Sequence, residues 1–270
     1  MFERILRDLG KLMENLPGER PPTTSTRAKD GLRTLEFDGL KLASSKAAEL
    51  GYFEFDRTVD QMQIGGNLTR LFEKLVADTR GDSKERGRLL RVDLGGNRIY
   101  VDPTTVGDKN SVTQSYFSTV YHGGTPYRVF SMVHTHPVDY LHGFHSPVSG
   151  KGMHEALKRA AEHLSPQDFL TLLRSPTPAS MVLCEGNWLW VLKTRRTPSS
   201  SDCSQNRGLK QRLTGTLAYA QHHPNVQQLG DPNRIFAKLV CIDFGLELYI
   251  AQPKDRTLFK RVLLTPKLHS

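Results

Sequence analysis

Tyr127-Arg128-Val129-Phe130-Ser131-Met132-Val133-His134-Thr135-His136-Pro137 is the stretch on which the reading of this chain turns. Its run of apolar and aromatic residues reads as a β-strand, and on a strand residues i and i+2 leave the same face. His134 and His136 should therefore emerge side by side, and Pro137, with no N–H to donate, stops the ladder. Two imidazoles need only a carboxylate and one position open to water to make a catalytic zinc site. The search for that carboxylate leads outward in both directions.

Downstream, Ser165-Pro166-Gln167-Asp168 reads as a helix start, with serine at the N-cap, proline at the first helical position and an acid at the third. An aspartate on that first turn can also point at a metal, so Asp168 is the candidate third ligand. The intervening insertion runs from about Val138 to Leu164. It ends in a helix expected over Gly152 to Leu164, with Met153, Ala156, Leu157, Ala160, Ala161 and Leu164 on one face. A competing, shorter register is Ser146-Pro147-Val148-Ser149, which sets a serine where the metal needs a carboxylate. Seven of the ten histidines fall between His122 and His163. Of these, His142, His145, His154 and His163 read as lining or surface residues of the insertion, with a second metal site as the alternative.

Upstream, Met62-Gln63-Ile64 reads as a strand, and a helix starting at Asn67 or Thr69 turns Leu68, Leu71, Phe72, Leu75 and Val76 inward. Lys84 to Val92 is a further strand, hairpinned through Gly95-Gly96-Asn97 into Arg98 to Val101. Glu85 stands at the start of that strand, two residues before Gly87; Glu49, Glu54 and Glu73 lack such a setting. Beyond Asp168, Ser180 to Lys193 reads as a strand pair broken at Glu185-Gly186-Asn187, with Trp188 and Trp190 as core or groove lining. A flexible stretch, Thr197 to Ser201, leads to a helix over Leu209 to Gln221. A hairpin of Ile235 to Ile242 with Leu246 to Ala251, about Asp243-Phe244-Gly245, is expected to close the chain. At the other end, Phe2, Ile5, Leu6, Leu9, Leu12 and Met13 are spaced as a short amphipathic helix. Arg20 to Asp30 reads as a linker, and Leu35 to Leu50 as an ambiguous strand and helix.

Composition sets the frame: 270 residues, 37% hydrophobic and 24% charged, fit a soluble globular protein with a sizeable core. No run of 18 apolar residues and no signal peptide is seen, and three scattered cysteines suit a reducing compartment, so the cytoplasm is the expected location. The divisions expected are an N-terminal extension over 1–50, a core over 51–194 and a basic region over 195–270. From Lys193 to Ser270 there are 13 Lys/Arg against 5 Asp/Glu, so that segment carries +8 of the net +9. A solvated basic surface explains this, with an acidic partner or nucleic acid as the alternative. The aromatic-and-basic motif of a nucleic-acid module is missing.

Taken together, Glu85-Arg86-Gly87 after a helix, then HTHP at His134 to Pro137, then SxxD at Ser165 to Asp168, resemble the JAMM/MPN (JAB) zinc metalloprotease domain, bacterial type. The likeness covers about Gln61 to Thr194. It implies an α/β fold of the cytidine-deaminase-like kind, a mixed sheet flanked by helices. It also implies zinc held by His134, His136 and Asp168, with Glu85 as general base and Ser165 helping to hold the oxyanion. The implied activity is cleavage of a peptide or isopeptide bond at the C-terminus of a ubiquitin or ubiquitin-like protein, which would be the partner. A metal-free binding scaffold of the same fold is the principal alternative, and nucleic-acid binding through the basic C-terminal region ranks last.

Overall fold

The computed structural model describes residues 36–37, 61–93, 99–108, 111–112, 119–122, 124–137, 163–228, 230–262 and 264. The strands are β1 (Glu36–Phe37), β2 (Gln61–Ile64), β3 (Arg86–Asp93), β4 (Ile99–Val101), β5 (Thr105–Val106), β6 (Thr119–His122), β7 (Thr125–Thr135), β8 (Ala179–Leu183), β9 (Trp188–Lys193), β10 (Leu246–Gln252) and β11 (Asp255–Arg261). The helices are α1 (Gly66–Asp82), α2 (Pro166–Arg174), α3 (Ser200–Gln205), α4 (Leu209–His222), α5 (Pro224–Gln227) and α6 (Pro232–Phe244). All of these elements fall in one compact unit, 33–270.

The strands form one curled, mixed sheet in the order β1-β2-β11-β10-β9-β8-β7-β3-β4, with β5 beside β3 and β6 beside β7. The histidine strand β7 is interior, antiparallel to β3 and parallel to β8. A parallel neighbour demands a crossover connection, and this one runs through the insertion and α2.

Alternation along the strands divides the core in two. Leu89, Met132, Val182 and Val191 face α2, α4 and α6, which contribute Phe169, Leu173, Leu213, Phe236 and Val240. Leu90, Phe130, Val133, Met181 and both tryptophans face α1, which contributes Leu68, Phe72 and Leu75. Trp188 and Trp190 are fully buried core residues, and the Trp190 indole N–H donates to Ser131 Oγ at 3.1 Å.

Two expectations fail in the C-terminal part. Ile235 to Ile242 is not a strand: it belongs to α6. Phe236, Ala237, Val240, Cys241 and Phe244 recur at helical spacing and are buried together. The start is fixed by Asp231, which accepts from the N–H groups of Asn233 and Arg234, with Pro232 behind it; the stop is Gly245 at φ 62°. The hairpin lies one element later, β10 with β11. Likewise Thr197 to Ser201 is not an unstructured stretch: Ser200 and Ser201 open α3. Thr197 Oγ1 donates to Gly245 O at 2.9 Å, and Ser199 caps α3 by accepting from the Asp202 N–H.

Among the described residues no helix is long and apolar enough to cross a membrane. The expected helix at residues 2–13, the linker at 20–30, most of 35–50, the turn at 95–97, the Ser146 register and the inserted helix up to residue 162 lie outside the described residues. So do His142, His145 and His154.

Candidate metal centre

The site stands where β7 ends. Gly87 on β3 is paired with His134, and Glu85, just before β3, lies within electrostatic reach of His134, His136 and Asp168. Partners directly across an antiparallel pair share a face. Glu85, His134 and His136 therefore lie on the face covered by α2, while Thr135 between the histidines belongs to the α1 face. β7 ends at Thr135, and the His136 N–H makes a last bond to Leu183 O at 3.2 Å before Pro137.

Asp168 is delivered by the start of α2. The capping box is complete: Ser165 Oγ accepts from the Asp168 N–H at 3.2 Å, and Asp168 Oδ2 accepts from the Ser165 N–H at 2.6 Å. The same carboxylate faces both imidazoles, with Oδ1 2.9 Å from His134 Nε2 and Oδ2 3.5 Å from His136 Nε2. The two Nε2 atoms are 3.2 Å apart. The carboxylate that caps the helix thus also faces both imidazoles, Oδ1 toward His134 and Oδ2 toward both His136 and the Ser165 N–H.

These spacings fit a metal. Ligands bound at about 2.0–2.1 Å around a four-coordinate ion sit about 3.3 Å from one another, which is the scale of 2.9, 3.2 and 3.5 Å seen here. Two imidazole nitrogens and a carboxylate face one another here, with the proton roles set by the histidine tautomers. His134, His136 and Asp168 are the only described residues that make such a group.

The electrostatics agree. Burial works against the charged Asp168, yet the charges of His136 and His134 and their hydrogen bonds hold its carboxyl well below the usual range. Burial likewise opposes a charged His136, and Asp168, with a further hydrogen bond to Cys184, lifts that imidazole well above its ordinary value. Glu85 is 6% exposed. Its burial raises the carboxyl above the usual carboxylate value, partly offset by His134 and His136. A buried acid coupled to a metal-type cluster is the pattern of a proton-handling group.

The five site residues expected from sequence are thus described as follows. His134, His136 and Asp168 converge, Ser165 caps the helix that carries Asp168, and Glu85 lies within electrostatic reach of all three. Sequence reasoning missed Cys184, which bonds the His136 ring from just past the end of β8, and the partner of His163, whose Nε2 is 3.5 Å from Asp231 Oδ2 at the cap of α6. Only pairing across the sheet and helix layers brings these together, so neither left a local signal. Compared with known protein families, with curated proteins and with solved structures, the chain matches none.

Proposed function

We propose that this protein is a zinc-dependent hydrolase of the JAMM/MPN (JAB) type that cleaves a peptide or isopeptide bond at the C-terminus of a ubiquitin-like protein. The observation that carries the reading is the convergence of His134 Nε2, His136 Nε2 and the Asp168 carboxylate with a buried Glu85 on the same face. Zinc, when held by His134, His136 and Asp168, supplies Lewis-acid activation of water and of the scissile carbonyl.

The chain's own groups do the rest. Glu85 accepts a proton from the attacking water and passes it to the leaving amine; its raised pKa makes it a better matched base than an exposed carboxylate. The Ser165 hydroxyl oxygen takes the Asp168 N–H, which leaves its own proton to be donated to the developing oxyanion. Ser165 also holds Asp168 in place through its backbone N–H. Substrate class follows from the resemblance set out above.

Metal analysis of purified protein, combined with a panel of ubiquitin-like fusions, tests this. About one zinc per chain is expected, with most of it lost in His134→Ala and Asp168→Ala, because three protein ligands are the working minimum. Cleavage should fall at the junction after the ubiquitin-like C-terminus. Protein that binds no zinc and cleaves no fusion would be a binding scaffold. Full zinc retention in Asp168→Ala alone would put the third ligand elsewhere.

A further inference from the structure

Behind the metal face, on the opposite side of the sheet, lies a buried polar network that the chemistry above does not use. Thr135 is fully buried, and Thr79 on α1 is 2% exposed. Their hydroxyl oxygens are 2.6 Å apart. Thr135 Oγ1 also accepts from the Arg86 backbone N–H at 2.9 Å and reaches Arg86 O at 3.4 Å. The Arg86 guanidinium donates to both carboxylate oxygens of Asp82 at 2.7 and 2.8 Å, to Lys84 O at 3.0 Å and to Thr79 Oγ1 at 3.5 Å. One proton assignment satisfies every member. Arg86 donates to Thr79, Thr79 to Thr135, and Thr135 to the Arg86 carbonyl.

The position of this network in the chain is what matters. Thr135 stands between the two histidines, and Arg86 follows Glu85. A methyl group at Thr135 Oγ1 would pack in the same volume, so the hydroxyl is not there to fill space. Its bond to the Arg86 N–H ties the first residue of β3 to β7 at the point where the ladder runs out, since His136 already bonds to β8 instead. Glu85 itself lies just before β3, with its N–H bonded to Asp108 O at 2.8 Å and its C=O accepting from the Gly107 N–H at 2.9 Å, so one side of this backbone is held toward β5 while Thr135, through Arg86, holds it toward β7 and the candidate ligands.

Resting on the metal reading above, we infer that Thr135 is a positioning residue. Through the Arg86 backbone it sets the distance of the Glu85 carboxylate from the metal ligands, with Thr79, Arg86 and Asp82 anchoring it to α1. The ligands themselves sit on β7 and α2, so losing the hydroxyl should displace the base and leave the metal bound.

The test compares wild type, Thr135→Val, Thr135→Ser and Glu85→Gln, each loaded with cobalt(II) and checked for folding by circular dichroism. At one fixed pH, the visible spectrum of Thr135→Val should move away from wild type toward that of Glu85→Gln. Cobalt content should be unchanged, and Thr135→Ser should restore the wild-type spectrum. Turnover, at a temperature well below unfolding, should drop roughly ten- to a hundredfold in kcat for Thr135→Val with little change in KM, as expected when a catalytic group is misplaced by a fraction of an ångström to an ångström. A folded Thr135→Val with the wild-type spectrum, or a Thr135→Ser that does not recover it, overturns the positioning role alone. Wild-type protein that takes up no cobalt, or a Glu85→Gln spectrum identical to wild type, overturns the underlying metal or base assignment, and the positioning role falls with it.

Discussion

Without metal, burial opposes a charged His136, yet Asp168 and a hydrogen bond to Cys184 lift its imidazole well above the ordinary value. A metal ligand must be neutral. Zinc uptake should therefore release protons, and affinity should weaken as the pH falls. Calorimetry in buffers of different ionisation enthalpy measures this; an apparent enthalpy independent of buffer would show that no proton leaves. Glu85 has the opposite role. Glu85→Gln should keep zinc yet lose on the order of 10²–10⁴ in turnover, the usual contribution of a general base. Burial raises its pKa, so the folded state holds this proton more tightly than the unfolded chain. Ionised Glu85 then costs stability as the pH rises above the ordinary carboxylate range. Metal-free Glu85→Gln should accordingly melt at a higher temperature than metal-free wild type at pH 7, and an equal or lower melting temperature would contradict the buried base.

At the scale of single elements, α6 and β10 meet at Gly245, where φ is 62° and a Cβ would come within 2.5 Å of Arg196 Cβ and 2.9 Å of its carbonyl carbon. Both the left-handed backbone and the contact exclude a side chain. Gly245→Ala should cost roughly 1–3 kcal/mol in urea unfolding, the range for strain at a special backbone position; a change within error would remove the steric argument. Lys193 ties β9 to two helix ends, donating to Ser175 O at 2.5 Å and Ser200 Oγ at 3.1 Å. Burial lowers its pKa from 10.5 to about 8, against a pull from Cys203. Between those two values the unfolded chain binds more protons than the folded one, so stability must rise with pH across that window. The difference in unfolding free energy between wild type and Lys193→Met should grow in favour of wild type from pH 8 to pH 10, as read from denaturant curves at each pH.

For the molecule as a whole, the segment 138–162 joins Pro137, next to the candidate ligand His136, to His163, two residues before Ser165. The described residues flanking it therefore adjoin His136 on one side and lie close in sequence to Asp168 on the other. Loops that depart from a rigid sheet beside its reactive groups commonly set specificity. Replacing Asp139 to Gly152 with a short Gly/Ser linker should leave zinc content unchanged and reduce cleavage of a ubiquitin-like fusion more than cleavage of a short peptide. Equal loss on both substrates would make the segment structural.

Much of this arrangement was legible locally because its parts are local. The spacing of His134 and His136 on a strand, the start of α2 at Ser165-Pro166-Gln167-Asp168 and the inward face of α1 are periodicities and caps within a few residues of sequence. Such patterns dictate backbone conformation directly. The C-terminal part was misread where that logic is ambiguous: Ile235 to Ile242 is an apolar run that suits a buried strand or a buried helix, and Asp231-Pro232 with Gly245 decided for the helix. What the sequence alone could not decide is everything that depends on which strand lies beside which. The meeting of Asp168 with the histidines, the placement of Glu85 within electrostatic reach of them, the bond of Cys184 to the His136 ring and the lock of Thr135 onto Arg86 and Thr79 all join residues tens of positions apart. Their geometry follows from sheet order and helix packing, because hydrogen bonds and ion pairs act over a few ångströms and only the tertiary fold brings those groups within that range.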